Sequence, residues 1–126
     1  MEDSFIPWLD HAHRAIRAAW LDSQRKLKAE AFRRRPDKDD DGLSVASSHE
    51  NAKRTLDRGK GVAALRIDAI EALGLELFRA DEIHGLIKGL PDPRPENYDL
   101  AMNIADRLVS LSLFTYDPWP AQRITL

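Results

Sequence analysis

The side chains of this chain that are best suited to chemistry are Arg34, Ser47 and His84. An arginine can hold a phosphate through two parallel hydrogen bonds, and histidine is the side chain whose charge changes closest to neutral pH. Ser47 precedes a predicted helix, whose first backbone N–H groups can bind an anion. We take these three as candidate catalytic residues. Helix capping alone explains Ser47, however, and a structural or surface role explains His84, so the sequence leaves open whether the protein is an enzyme.

The short motifs that mark common catalytic sites are missing from the chain. It contains no GxSxG nucleophile elbow, no GxGxxG turn after a strand and no phosphate loop ending in GK[ST]. Cysteine is absent as well, which excludes disulfides, thiolate catalysis and cysteine-based zinc sites. The three candidates therefore have no motif to support them.

An acidic turn, DKDDDG, has the first half of a calcium-loop pattern, with Asp37, Asp39, Asp41 and Gly42 at positions one, three, five and six. The loop needs a bidentate carboxylate at position twelve, where this chain has Ser48. The four histidines also lack the i, i+4 spacing that lets one helix face chelate a metal. The sequence predicts neither a metal site nor a cofactor.

Basic residues form two runs that suit phosphate contacts. One run is Arg33, Arg34 and Arg35, and the other consists of Lys53, Arg54, Arg58 and Lys60. Such runs bind nucleic acid nonspecifically when they lie on one face. Neither run is interleaved with aromatic residues, and no helix-turn-helix or RNA-reading signature accompanies them. A nucleic-acid-binding regulator therefore stays an alternative and not the leading hypothesis.

Hydrophobic periodicity predicts the elements that position these residues. A long amphipathic helix is expected over about 7–31, then helices over 48–58, 69–73 and 97–112. Strands are expected in AEAFRRRP (29–36), GLSVASS (42–48), 62–67, 75–78 and 83–88. The tail LFTYDPWPAQRITL is expected to add an edge strand or wrap the core. Ser47 with Glu50, and Asp68 with Glu71, have capping-box spacing for two of the helices.

These elements predict one α+β domain over 1–126. A small mixed β-sheet of four to five strands would be packed by a long N-terminal helix and a C-terminal helix, with a small α/β layer fold as the runner-up. Residues 1–31 would form the long helix, 32–91 the α/β core, and 92–126 the C-terminal helix and tail.

Three segments carry a resemblance to known proteins: FRRRPDKDDDGLSV, GVAALRIDAIEALGL and IHGLIKGLP. Over about residues 29–91 the chain resembles a type of small bacterial protein of unassigned function. More distantly, it is similar to ADP-ribosyltransferase-like domains, including RNA 2′-phosphotransferases.

Such domains have an arginine or histidine on an early strand, then a strand running into a helix, and later a strand with a polar functional residue. The resemblance implies that Arg33 or Arg34 fills the first position, Ser44 or Ser47 the second, and Glu82 or His84 the last. It also implies a nucleotide-dependent transferase or toxin, although the chain lacks a clear Glu-x-Glu pattern and a paired histidine–tyrosine set.

The leading functional hypothesis is a noncatalytic interaction or accessory protein, a component of a bacterial protein complex. It depends on five aromatic residues that are expected to bind a protein partner or a second copy of the chain: Trp8, Trp20, Phe114, Tyr116 and Trp119. The acidic N-terminus lacks the apolar core of a signal peptide, and no segment approaches the roughly 20 apolar residues that span a bilayer. We therefore expect a soluble cytoplasmic protein without membrane contacts.

Overall fold

The computed structural model describes residues 7–35, 42–92 and 94–120. These residues form a six-stranded sheet in which every neighbouring pair of strands is antiparallel, in the order β4-β5-β2-β1-β3-β6. The strands are β1 (His11–Ile16), β2 (Leu43–Ala46), β3 (Gly59–Arg66), β4 (Glu76–Arg79), β5 (His84–Lys88) and β6 (Leu113–Trp119). The first strand of the chain therefore lies in the interior of the sheet.

Helices cover both faces of this sheet. They are α1 (His49–Lys53), α2 (Ile67–Ala72) and α3 (Tyr98–Leu111), and 3-10 turns occur at Ala18–Trp20, Ala29–Phe32 and Pro95–Asn97. The larger core joins α3 and the Ala29–Phe32 turn to one face, where Phe32 and Leu108 are fully buried. A smaller cluster joins Ala52 of α1 to Ala15, Val62 and Trp119 on the other face.

The predicted fold class was wrong in its sheet and in its N-terminal helix. The sheet has six antiparallel strands instead of a mixed set of four or five, and the long helix over 7–31 is absent from the described residues. The alternation within β1 explains the error, because Ala12 and Ile16 lie in the larger core while Ala15 lies in the smaller one. A four-residue spacing of apolar residues is compatible with a helix and also with one face of a strand.

The interruption at Ser23 and Gln24 is a turn. The Asp22 carboxylate accepts hydrogen bonds from the backbone N–H groups of Gln24 and Lys26, and Arg25 has a φ of 63°. Such a side chain–backbone turn competes with helix formation. The predicted strand AEAFRRRP was also wrong, since Ala29–Phe32 is a 3-10 turn.

Several shorter elements were predicted correctly. The strands β2, β3, β4 and β5 and the helix α3 lie where the periodicity placed them, and Gly74 ends α2 with a φ of 82°. The tail does add an edge strand, β6. The capping boxes were wrong in detail, because the α1 cap is Ser48, whose hydroxyl accepts from the Asn51 N–H, and Asp68 instead pairs with Arg66.

Candidate anion-binding cleft

The strand β1 is paired very differently on its two sides. It forms six residue pairs with β3, from His11–Arg66 to Ile16–Gly61, but its register with β2 contains one pair, His13–Ala46. Past that pair, toward Ile16, β1 and β2 separate. The sheet therefore opens between its two central strands.

Arg14 bridges this opening. The Arg14 side chain extends from β1 and makes two hydrogen bonds. Its Nε donates to the Ala31 carbonyl at 2.6 Å, and its Nη1 donates to the Ser44 carbonyl of β2 at 2.9 Å. Arg14 is only 4% exposed. Hydrogen bonds lower the cost of burying a guanidinium, so these two bonds make Arg14 part of the structure at the point where β1 and β2 separate.

A cavity of about 160 Å³ lies beside Arg14 in the opening. Its lining combines cationic, hydroxyl and apolar side chains, namely those of Arg14, Ala15, Arg17, Trp20, Arg35, Ser44, Thr55 and Leu56. None of these lining residues is acidic. A small cavity whose described charges are all positive is suited to an anion.

Three guanidinium groups of this cavity surround one indole ring. The Cζ atoms of Arg14, Arg35 and Arg17 lie 4.7, 5.4 and 5.6 Å from the centre of the Trp20 ring. Cation–π attraction offsets part of the repulsion between like charges. Trp20 itself is buried, and its ring packs against the three guanidinium groups.

Arg17 contributes a buried donor to the lining of this cavity. Its Nε is buried and has no hydrogen-bond partner among the residues that the structure describes. A buried donor without a partner costs about 1–3 kcal/mol, so such atoms are rare in folded proteins. This N–H is therefore available to a bound acceptor at the cavity.

His13 lies at the end of the opening where β1 and β2 are still paired, opposite Ala46. Burial lowers the pKa of His13 to about 4, and the nearby His11 acts in the same direction. Its Nδ1 atom is buried and has no hydrogen-bond partner among the described residues. At neutral pH the imidazole is thus uncharged, and it adds no positive charge to the cleft.

The three predicted catalytic residues lie outside this cavity lining. Ser47 is buried, and its hydroxyl accepts from Asn51 Nδ2 at 3.1 Å. His84 is exposed and contacts Asp81, whose pKa is lowered mainly by backbone hydrogen bonds from Ile83 and His84.

Ser47 and His84 do come near each other, because the Ser47 N–H donates to the Ile83 carbonyl. Arg34 is half-buried and directly precedes Arg35, which lines the cavity. Of the other residues that the resemblance suggested, Arg33 is half-buried and Glu82 is exposed. Ser44 contributes to the lining.

The five aromatic residues predicted to bind a partner are distributed over the molecule. Trp8 donates from Nε1 to the Asp81 carbonyl, and Trp20 forms the wall of the cleft. Trp119 is buried and donates to the Leu56 carbonyl. Phe114 and Tyr116 lie two residues apart on β6 and therefore share one face of that strand. The Arg25 guanidinium lies 4.4 Å from the centre of the Tyr116 ring.

A group of possible metal ligands joins α1 to β6. His49 Nε2 lies 2.8 Å from Asp117 Oδ2, and Glu50 is close to both. Lys53 Nζ lies 3.1 Å from the same Asp117 oxygen and 3.8 Å from Glu50. The hydrogen bonds from His49 and then Lys53 lower the pKa of Asp117. Because the lysine already supplies positive charge here, we assign the group to holding α1 on β6.

The calcium-like aspartates Asp37, Asp39 and Asp41 lie outside the described residues. The residues that sequence reasoning missed are Arg14, Arg17 and His13. The alternation in HAHRAI indicates a strand, in which the two histidines lie on one face and Arg14 lies on the other. That pattern is the signal in the sequence that points to this part of the cleft.

Comparison of the chain with models of protein families, with curated proteins and with solved structures finds no match. Among the described residues, no helix combines the length and the apolar character needed to cross a membrane.

Proposed function

We propose that the protein binds a phosphorylated ligand, a nucleotide, in the cleft between β1 and β2. The observation that carries this proposal is the convergence of Arg14, Arg17 and Arg35 on Trp20, with the Arg17 Nε buried and without a hydrogen-bond partner among the described residues. Guanidinium groups match phosphate oxygens in charge and in the geometry of their donors. Binding of an anion supplies the acceptor that Arg17 lacks.

The size of the cleft supports a phosphate group as the part that enters it. Its volume of about 160 Å³ is below the roughly 300–1,000 Å³ of sites that enclose a complete small-molecule ligand. The Ser44 hydroxyl offers a further donor beside the guanidinium groups. A phosphate or diphosphate fits this lining, with the remainder of the ligand outside.

The resemblance to ADP-ribosyltransferase-like domains motivates NAD as the first nucleotide to test. Arg14 lies on an early strand, Ser47 lies where β2 runs into α1, and His84 begins the later strand β5. The resemblance assigns the early-strand position to Arg33 or Arg34, which lie outside the described strands, and Ser47 and His84 lie outside the cleft, so the resemblance bears on the class of ligand and not on the residues that hold it. The resemblance supports a nucleotide ligand and, as a further hypothesis, transferase activity.

Isothermal titration calorimetry with NAD, ADP, AMP and inorganic phosphate tests the proposal. We expect binding of at least one of the nucleotides, and a loss of about tenfold or more in affinity for Arg17→Ala, consistent with a charge-assisted hydrogen bond. Arg107→Ala is the matched control, because Arg107 is exposed on α3 away from the cleft lining. Equal affinity of the Arg17→Ala variant and the wild type would contradict the proposal.

A second candidate function is assembly with another copy of the chain, in line with a noncatalytic accessory role. Within the described residues, β6 pairs with β3 alone, and its Leu113 is 73% exposed. An exposed apolar edge strand can pair with an identical strand. Light scattering after size exclusion is expected to show a dimer that Leu113→Lys disrupts, whereas a monomeric wild type would refute this candidate.

A further inference from the structure

A second, larger cavity adjoins the cleft. It has a volume of about 420 Å³, and it shares Arg17 and Leu56 with the cleft. The rest of its lining comes from two short stretches of the chain, namely Ala18, Ala19, Asp57, Arg58, Gly59 and Lys60. The two cavities therefore adjoin at Arg17 and Leu56, and we call the two together the groove.

The larger cavity has a mixed lining. Ala18, Ala19 and Leu56 contribute apolar surface, while Arg58 and Lys60 add two cations beyond Arg17. Asp57 also contributes to the lining, so the local charge of this part is less positive than that of the cleft. A lining that combines cations with apolar surface is suited to a ligand that combines anionic groups with a less polar portion.

Trp119 holds in place the start of β3, which carries Lys60. The Trp119 indole donates to the Leu56 carbonyl at 3.0 Å, and it packs so closely on Gly59 that a Cβ there would overlap the ring. The β3–β6 register shifts between Gly59 and Gly61, which flank Lys60. Such an irregularity redirects a side chain, and here the packing of Trp119 fixes it.

We propose that the groove binds single-stranded nucleic acid. One phosphate occupies the cleft at Arg14, Arg17 and Arg35, the adjoining sugar and base lie in the larger cavity, and the next phosphate contacts Arg58 and Lys60. This inference rests on the proposed nucleotide binding, and it specifies the class of ligand. A backbone of regularly spaced phosphates matches cations at both ends of the groove better than a nucleotide with a single phosphate group does.

Fluorescence anisotropy with labelled oligonucleotides of one to six residues, DNA and RNA, tests this inference on the full chain. We expect affinity to rise about tenfold or more between the mononucleotide and the longer strands, and to fall steeply as salt increases. The double variant Arg58→Ser, Lys60→Ser is expected to remove most of the gain with length and to make the salt dependence shallower by about two phosphate contacts.

The matched control removes two cations elsewhere, in the double variant Arg94→Ser, Arg107→Ser. Both side chains are exposed and neither lines the groove, so this control is expected to retain the gain with length. An equal loss in both double variants would show a general charge effect and overturn the inference.

The failure of this inference is distinguishable from the failure of the proposed function. If mononucleotides bind in a manner that depends on Arg17, and longer strands bind no more tightly, the cleft is a nucleotide site and the extended groove is not. If neither mononucleotides nor longer strands bind, both proposals fail.

Discussion

The two sides of β1 differ in what holds them to their neighbours. Toward β3, the backbone ladder pairs all six residues of the strand. Toward β2, one residue pair is followed by a gap that the Arg14 side chain bridges. A ladder bond satisfies the backbone and leaves no room for a ligand, whereas a side-chain bridge keeps the strands connected while a cavity forms between them.

The largest effect is expected from removing this bridge. Arg14→Met retains much of the side-chain volume but leaves the Ala31 and Ser44 carbonyls without their donor, so we expect it to lower the free energy of unfolding by about 2–4 kcal/mol. Urea unfolding of both proteins measures the change.

The control is Arg66→Met, because the Arg66–Asp68 pair is exposed and such pairs contribute little to stability. If Arg14→Met were no more destabilising than Arg66→Met, the ladder toward β3 would suffice to hold β1, and the bridge would not be structural.

A smaller effect is expected from the pH dependence of His13, at the last paired residue before the gap. Its pKa is lowered to about 4 in the folded protein, against about 6.5 in the unfolded chain. Between these values the unfolded state binds the proton and the folded state does not, so stability falls as the pH falls from about 6.5 to 4.

Urea unfolding at pH 7 and pH 5 measures this contribution. Relative to His13→Gln, the wild type is expected to lose roughly 1–2 kcal/mol more between the two values, after allowance for partial solvent screening. His84→Gln is the control for an exposed histidine away from this opening. The same pH dependence in wild type and His13→Gln would mean that His13 is protonated in the folded protein.

The smallest effect on stability is expected from Arg17, although it lies in the same cavity as Arg14. Arg17→Met removes a buried donor that has no described partner, and this gain offsets the lost contact with Trp20. We expect the free energy of unfolding to change by less than about 1 kcal/mol. A destabilisation as large as that of Arg14→Met, measured in the same urea series, would assign Arg17 to the structure instead of to ligand binding.

The elements that sequence analysis predicted correctly are those whose signals are local. The alternation in GLSV, the apolar run before Arg66 and the helical stripe from Leu100 to Leu111 each identify an element without reference to the rest of the chain. The error at 7–31 has the opposite cause. HAHRAIRAAW suits a helix and a strand equally, and pairing with β3, some fifty residues later in the chain, decides between them.

The cleft was not predictable for the same reason. Arg14, Arg35 and Thr55 are distant in sequence, and they meet because β1 and β2 separate after a single residue pair. Nothing in a single sequence specifies where two paired strands part. The hypothesis of a phosphate-binding arginine selected the densest run, Arg33–Arg35, and of these three residues Arg35 lines the cavity.

The interior position of β1 has a consequence for how the chain folds. Among the described strands β1 is synthesised before the others, yet its main partner, β3, begins at Gly59, and β3 in turn pairs with β6 at the end of the described residues. Each of these strand pairings must close a long loop, and the entropy cost of closure comes before the stabilising contacts form. We therefore expect slow folding that becomes cooperative once most of the described sequence is present. We therefore expect a truncation before β6 to leave β3 with an unpaired edge and to yield a chain prone to aggregation.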